Sequence, residues 1–314
     1  MNSEQMRSFT SQTKLMLTGE YLVLKGALSL ALPLKFTQKL SITEHSGIPS
    51  IEWESKIFND LWLSATLLLP DFQISETNNP DLSATLVRIL KAARLVNPNF
   101  LDKPLDYQVV SGMDFDPVWG IGSSSSLISN IAYWADCDPF ELNNLVFNGS
   151  GYDIACARSL SPIIYEIIDN QPSYREANFH PDFADQLYFV YLNRKQNSRE
   201  SIRKLDLSTV DKRIISEISE LTLGLEAANN LETFQLLLNR HERIIGNIIQ
   251  IEPVKSMYFN DFKGSVKSLG AWGGDYILAV SDETEEYVRN YFINKNLKTI
   301  FRYSEMVLDK VKEI

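Results

Sequence analysis

Two glycines and four serines stand together at Gly120-Ile121-Gly122-Ser123-Ser124-Ser125-Ser126, directly ahead of Leu127, Ile128, Ile131, Ala132 and Ala135 at helical spacing. That order describes a loop feeding a helix, which Asp136 and Pro139 bring to a close. Glycine lets the backbone approach a ligand closely, and the first amides of a helix have no partner inside it. Such a place attracts phosphate, and the serine hydroxyls can donate to it or ligate Mg2+. Serines at a helix start also serve as ordinary caps, so the segment by itself leaves phosphate binding and capping both open.

Two charged residues stand where chemistry could use them. Lys14 lies in the strand-like run 14–26, where it faces either solvent from an edge or an active site in which it stabilises transferred charge; Glu20 in the same run faces the same choice. Asp153 follows the turn Asn148-Gly149-Ser150-Gly151 and opens a small-residue apolar stretch. It serves there either as a helix cap or as a carboxylate that orients an acceptor hydroxyl. A third glycine-rich segment, 267–275, holds Gly270, Gly273 and Gly274 and runs into the strand 276–280. The polar, basic loop 193–199 offers Lys195, Ser198 and Arg199 to an anionic acceptor, although most such runs are solvated turns.

The elements that must position these residues read as α+β. The chain has 314 residues, 44% of them apolar, enough for about two domains, and we place the boundary at 170/171. Apolar alternation broken by Gly19 and Gly26 predicts short strands over 14–42, and further strands follow at 51–54 and 56–64. A helix capped by Asp81 runs to about Val96; later helices span Ser208 to about Ala227, 231–251 and 282–292, and 299–307 reads as a closing strand. Residues 169–173 look like a connector. Strands and helices mixed in this way argue against a regular parallel βαβ array.

A net charge of −10 argues against a nucleic-acid or lipid-surface binder and requires a local positive site for any anionic ligand. Two cysteines, Cys137 and Cys156, suit a reducing compartment, and neither the polar amino terminus nor the short apolar run 61–69 reads as a signal or a membrane span. The expectation is a cytoplasmic protein. His45, His180 and His241 have no metal-ligand spacing and read as surface or packing residues. Neither the P-loop signature nor the dinucleotide fingerprint is present.

Taken together, KLMLTGEYLVLKGALSLALPL (14–34), PVWGIGSSSSL (117–127) and KSLGAWGGDYILAV (267–280) resemble, in order and over nearly the full length, the three motifs of the GHMP kinase superfamily. The segment 149–155, GSGYDIA, and GEYLVL in the first motif, with Tyr21 where many members have His, are nearest to the phosphomevalonate kinases among the mevalonate and phosphomevalonate kinase-like members, and resemble a small subgroup with a GYDIA signature. The resemblance implies an amino domain (1–170) like ribosomal protein S5 domain 2 that binds ATP, and a ferredoxin-like carboxyl domain (171–314). It implies that Gly120, Gly122, Ser123, Ser124 and Ser125 embrace the ATP phosphates together with Gly270, Gly273 and Gly274, with Ser124 approaching Mg2+. Asp153 then falls on the catalytic Asp, Lys14 on the active-site Lys, and Glu20 close to the reacting groups.

Two departures stand out. Trp272 and Asp275 stand where the third motif has glycines, a bulky ring and a carboxylate that would narrow the site, repel substrate charge or help hold the metal. The Mg2+-binding Glu of mevalonate kinases has Leu142 at its aligned place, with Glu141 one residue away. The implied activity is ATP-dependent phosphoryl transfer to mevalonate or 5-phosphomevalonate, with ATP, Mg2+ and a small acceptor as partners, no nucleic acid or membrane, and a homodimer allowed. The alternatives are a kinase for homoserine or a sugar, or a nucleotide-binding homologue with impaired catalysis that acts as a regulatory or partner subunit.

Overall fold

The computed structural model describes residues 6–194, 207–270, 272 and 275–309. The backbone divides into two compact units, neither of them a single stretch of chain. The first takes the chain up to Thr13, Phe36–Pro117 and Gly122–Arg158; the second takes Lys14–Lys35, Val118–Ile121 and the chain from Ser159 onward. This division differs from a single cut at 170/171. The physical reason is one long strand, Ser29–His45, whose first residues belong to one unit and whose last belong to the other.

In the first unit, the strands β1 (Arg7–Met16), β2 (Ser29–His45), β3 (Ser50–Ile57), β4 (Asp60–Leu68), β5 (Gln73–Thr77) and β6 (Asp106–Met113) are joined by helix α1 (Pro80–Val96). The sheet order is β5-β4-β3-β6-β2, with β1 also on β2; β3 and β6 run parallel and the other pairs on this path antiparallel. Helices α2 (Ser123–Ala135), α3 (Pro139–Phe147) and α4 (Tyr152–Ala157) complete it. Leu40, Ile42, Trp53, Leu86, Leu90 and Ile131 are its buried core. Asn79, not Asp81, caps α1 by accepting from the Leu82 amide, because Pro80 takes the first helical position.

The second unit contains β7 (Ile163–Ile168), β8 (Gln171–Glu176), β9 (Leu187–Tyr191), α5 (Lys212–Glu226), α6 (Leu231–Ile249), α7 (Val254–Tyr258), β10 (Ser265–Leu269), β11 (Tyr276–Val280), α8 (Glu285–Ile293), β12 (Ile300–Arg302) and α9 (Tyr303–Met306). The start of β2 pairs with β7, Ser29 opposite Tyr165. The expected connector at 169–173 is instead a tight hairpin: Asp169 and Asn170 take φ of 50° and 60°, as a two-residue turn of this hand demands, and β8 follows at once.

A second sheet runs β10-β11-β9-β12, all antiparallel. Numbered along the chain, that is order 2-3-1-4 with helices after the first and third strands, the ferredoxin-like arrangement.

Other expected boundaries shift for local reasons. β1 stops at Met16, because Gly19 (φ 84°) and Tyr21 (φ 63°) turn the chain left-handed and Leu22–Lys25 close a single 3-10 turn where strand had been expected. A Cβ at Gly19 would lie 2.4 Å from Ser29 Oγ and 2.7 Å from the Leu28 carbonyl, so only glycine fits there. α5 starts behind Asp211, which accepts from the Arg213 amide, and not behind Ser208. The chain end holds a three-residue strand and a short helix in place of one strand over 299–307.

Candidate active site

In the first unit, α2 begins at Gly122, which sits in the left-handed region at φ 105° with no side chain capping the helix. The capping role considered for the serines is therefore not what they do. Ser125 Oγ turns back to the Gly122 carbonyl at 2.9 Å, and Ser126 Oγ donates to Gln38 Oε1 at 2.7 Å. Ser123 is half-buried and Ser124 exposed. The helix itself is fixed by a buried polar chain: Asn130 Nδ2 donates to the Gln38 carbonyl at 2.7 Å, Ser11 Oγ to Asn130 Oδ1 at 2.8 Å, and Gln38 Nε2 to Ser111 Oγ at 2.7 Å. Ser126 and Asn130 are one turn apart on one face, so three strands, β1, β2 and β6, and the helix share this network.

Asp153 lies in the first turn of α4 behind Gly151 (φ 86°), half-buried. Ile154 beside it is buried in the same cluster as Ile128 and Ile131 of α2, which packs the two helices together. Glu141 is exposed in the first turn of α3, and Leu142 is fully buried in the core. Among the described residues no group of three or more His, Cys, Asp or Glu side chains could hold a metal ion, so neither Ser124 nor Glu141 sits in such a cluster.

In the second unit, four distant segments meet at residues 118–121. The backbone N–H of Lys14, near the end of β1, donates to the Ile121 carbonyl at 2.8 Å. Tyr191 Oη donates to the Val118 carbonyl at 2.9 Å, and the Trp119 ring meets Phe301 edge-on at 5.6 Å. Asp275 reaches Gly120 so closely that a Cβ on that glycine would fall 2.6 Å from its carboxyl carbon. Gly270 has φ 65° with open space where a Cβ would be. Gly273, Gly274, Lys195, Ser198 and Arg199 lie outside the described residues.

Glu20 is neither at an exposed edge nor open to a substrate. Its carboxylate accepts from Lys267 Nζ, and both side chains are buried. His241 Nε2 lies 3.5 Å from the other Glu20 oxygen and accepts the Gly19 N–H at 3.0 Å, which puts the ring proton on Nδ1. Burial, reinforced by Lys267, holds the imidazole well below its ordinary pKa. Glu242 accepts from the Ser268 amide and hydroxyl and from the Val254 amide; burial pushes its carboxyl up to about 7 against the opposing Lys267 charge. Sequence reasoning missed Lys267 and Glu242 and read His241 as a surface or packing residue. The available signal was a charge inside a strand, SVKSL, whose neighbours are small or apolar.

Trp272 does not stand over the glycine loop as a bulky obstacle. Its ring is buried with Tyr21, Leu22, Ile218, Leu221 and Ile245, and its backbone N–H donates to Tyr21 Oη at 3.1 Å. The indole is an apolar anchor for the third glycine-rich segment.

No family model matches the sequence, and no curated protein matches it. Solved structures match the fold over nearly the whole chain. Mevalonate kinase from Methanococcus jannaschii is similar with a TM-score of 0.69 at 17% identity, covering 98% of this chain and 99% of its own. L. major mevalonate kinase in complex with R-mevalonate gives 0.66 at 15% identity, covering 98% and 97%. Streptococcus pneumoniae phosphomevalonate kinase in complex with phosphomevalonate and AMPPNP gives 0.70 at 17% identity, covering 94% and 99%. The α+β fold of this chain is that of the mevalonate and phosphomevalonate kinases, the GHMP kinase fold expected from its three motifs.

Proposed function

We propose that the chain is an ATP-dependent small-molecule kinase that transfers the γ-phosphoryl group to an oxygen of mevalonate or 5-phosphomevalonate. The observation that carries this reading is the 2.8 Å hydrogen bond from the Lys14 amide to the Ile121 carbonyl, which ties the first motif to the glycine loop of the second. The fold, shared with a kinase solved around AMPPNP, supports it.

In this reading the amides of Gly120, Gly122, Ser123, Ser124 and Ser125 receive the ATP phosphates, because the uncapped start of α2 leaves its first-turn donors without a capping side chain. Ser125 contributes through its amide alone, its hydroxyl being committed to the Gly122 carbonyl. The Lys14 ammonium offsets charge that develops on the transferred group, and Asp153 orients or deprotonates the acceptor. Glu20 acts at one remove, by holding Lys267 and the Gly19 turn. Lys195, Ser198 and Arg199 grip the acceptor's carboxylate or phosphate, and Gly270, Gly273 and Gly274 close on the nucleotide. Catalysis is then mainly positioning.

Hard oxygen donors suit Mg2+, and the exposed Ser124 hydroxyl fits one position of its shell; Glu141 is a weaker second donor. When bound, the ion would neutralise the phosphate oxygens.

The second reading, a nucleotide-binding homologue with impaired catalysis, is favoured by one observation, the Asp275 carboxylate lying on Gly120. A coupled assay of ADP release with mevalonate, 5-phosphomevalonate, homoserine and galactose separates the two. Turnover with one acceptor, abolished in Asp153→Asn while ATP still binds, is the expected result. ATP binding with no turnover on any small alcohol would leave the impaired homologue standing.

A further inference from the structure

Gly120 is covered by a carboxylate. A Cβ built on it would fall 2.6 Å from Cγ and Oδ1 of Asp275 and 2.8 Å from Oδ2, so the whole carboxyl group faces the glycine at one distance. Asp275 is itself only 6% exposed. Its backbone is clamped on both sides: its N–H donates to the Arg194 carbonyl at 2.6 Å and its carbonyl accepts the Leu192 N–H at 2.8 Å. With φ at 52°, the residue sits in the left-handed region that Asp and Asn tolerate. The carboxylate cannot leave the loop without breaking that clamp or changing rotamer.

This placement constrains any phosphate that uses the loop. A phosphate laid on Gly120 meets an anion at close range, where little water is available to screen the two. A divalent cation converts that repulsion into shared coordination, since Mg2+ typically takes one or two carboxylates together with phosphate oxygens. The carboxylate is of the right chemistry for such an ion and lies where a phosphate on this loop would bring it. We propose that Asp275 is a ligand of the divalent cation that accompanies the nucleotide, so that the Gly120 loop accepts metal-bound nucleotide and rejects the free anion. This rests on the kinase reading above.

The test is a titration of the full chain with a fluorescent ADP analogue, once with Mg2+ and once with EDTA, on the wild type and on Asp275→Asn. Asn preserves the left-handed backbone and the size of the side chain while removing its charge. The wild type is expected to lose at least about tenfold in affinity on chelation, and Asp275→Asn to change less than about threefold, with tighter binding than the wild type in EDTA.

An equal dependence on Mg2+ in both proteins overturns the metal role and leaves the kinase reading intact. Tighter binding by the variant in Mg2+ and EDTA alike makes the carboxylate a repulsive plug and also overturns it. No nucleotide binding by the wild type under either condition sinks the kinase reading and this inference with it. Should the variant melt too early to titrate, Mn2+ with ADP on the unaltered chain decides. It must broaden the Asp275 amide resonance beyond the effect of Mn2+ alone, and an unaffected resonance overturns the assignment.

Discussion

Lys267 Nζ donates to the carboxylate of Glu20, and both side chains are sealed from water inside the second unit. The pair joins the turn after β1 to strand β10, with His241 and the Gly19 amide on one flank and the Ser268 carbonyl, which accepts from Lys267 at 2.8 Å, on the other. Burying two charges costs much of what their attraction returns, but breaking such a pair leaves one ion stranded. Lys267→Met is therefore expected to cost about 3–5 kcal/mol in urea denaturation. Adding Glu20→Gln should recover a large part of that loss. Losses that simply add in the double variant would show that the two side chains are not coupled.

Glu242 makes the stability of the fold depend on pH. Its carboxyl is raised from an ordinary 4.5 to about 7, chiefly by burial. Between those values the folded chain keeps a proton that the unfolded chain has shed, so this contribution is full below about pH 4.5 and lost as pH rises towards 7. His241 works the other way: held neutral when folded, it makes the unfolded chain the better proton binder below 6.5 and so weakens the fold on acidification. The raw curve mixes the two, and the difference between variants separates them. Glu242→Gln is expected to gain on the wild type by on the order of 1–3 kcal/mol between pH 4.5 and 7, with no further gain above. A pH-independent difference would show that Glu242 does not titrate in this window.

What the sequence made legible, and what it did not, follows from the range of the interactions involved. The Gly120–Ser126 loop and helix α2 were readable because glycine conformation and apolar spacing are local. The fold class was readable because three such segments occur in order. Glu20 was not readable as buried, since its counter-ion stands 247 positions away in sequence. The same holds for the chain Ser11-Asn130-Gln38-Ser111, in which no single residue differs from a surface polar group until the fold brings its partners. The two units were not readable as discontinuous because β2 gives no local sign that its two ends belong to different sheet neighbourhoods. Trp272 looked like an obstacle in the third motif because the space that receives its ring is made by a glycine on helix α6, far away in sequence.

That glycine is Gly246. A Cβ there would meet the Trp272 ring at 3.3 Å and the Ile251 carbonyl at 2.6 Å, and the second contact is to backbone that cannot swing aside. Gly246→Ala is expected to destabilise the protein by about 1–3 kcal/mol despite the better helix propensity of alanine. Trp272→Ala should cost about 3–5 kcal/mol through the cavity left in the cluster around Leu22 and Ile245. Tryptophan fluorescence and thermal melts of both variants provide the check. A stabilised Gly246→Ala would mean that the indole is not seated against α6.

Lys14 allows its main-chain and side-chain roles to be separated. The bond that ties β1 to the glycine loop comes from its backbone amide, which every substitution except proline retains. Lys14→Ala therefore removes the ammonium and leaves the attachment of the loop in place. If the ammonium acts on charge that develops as the phosphoryl group transfers, the variant should keep its affinity for ATP while kcat falls by about 10²–10³. Equilibrium binding of ATP and steady-state kinetics with whichever acceptor supports turnover would measure the two quantities separately. Weaker ATP binding with kcat intact would move Lys14 from the transition state to the ground-state grip on the phosphates, because an interaction made equally in both states changes KM and not kcat.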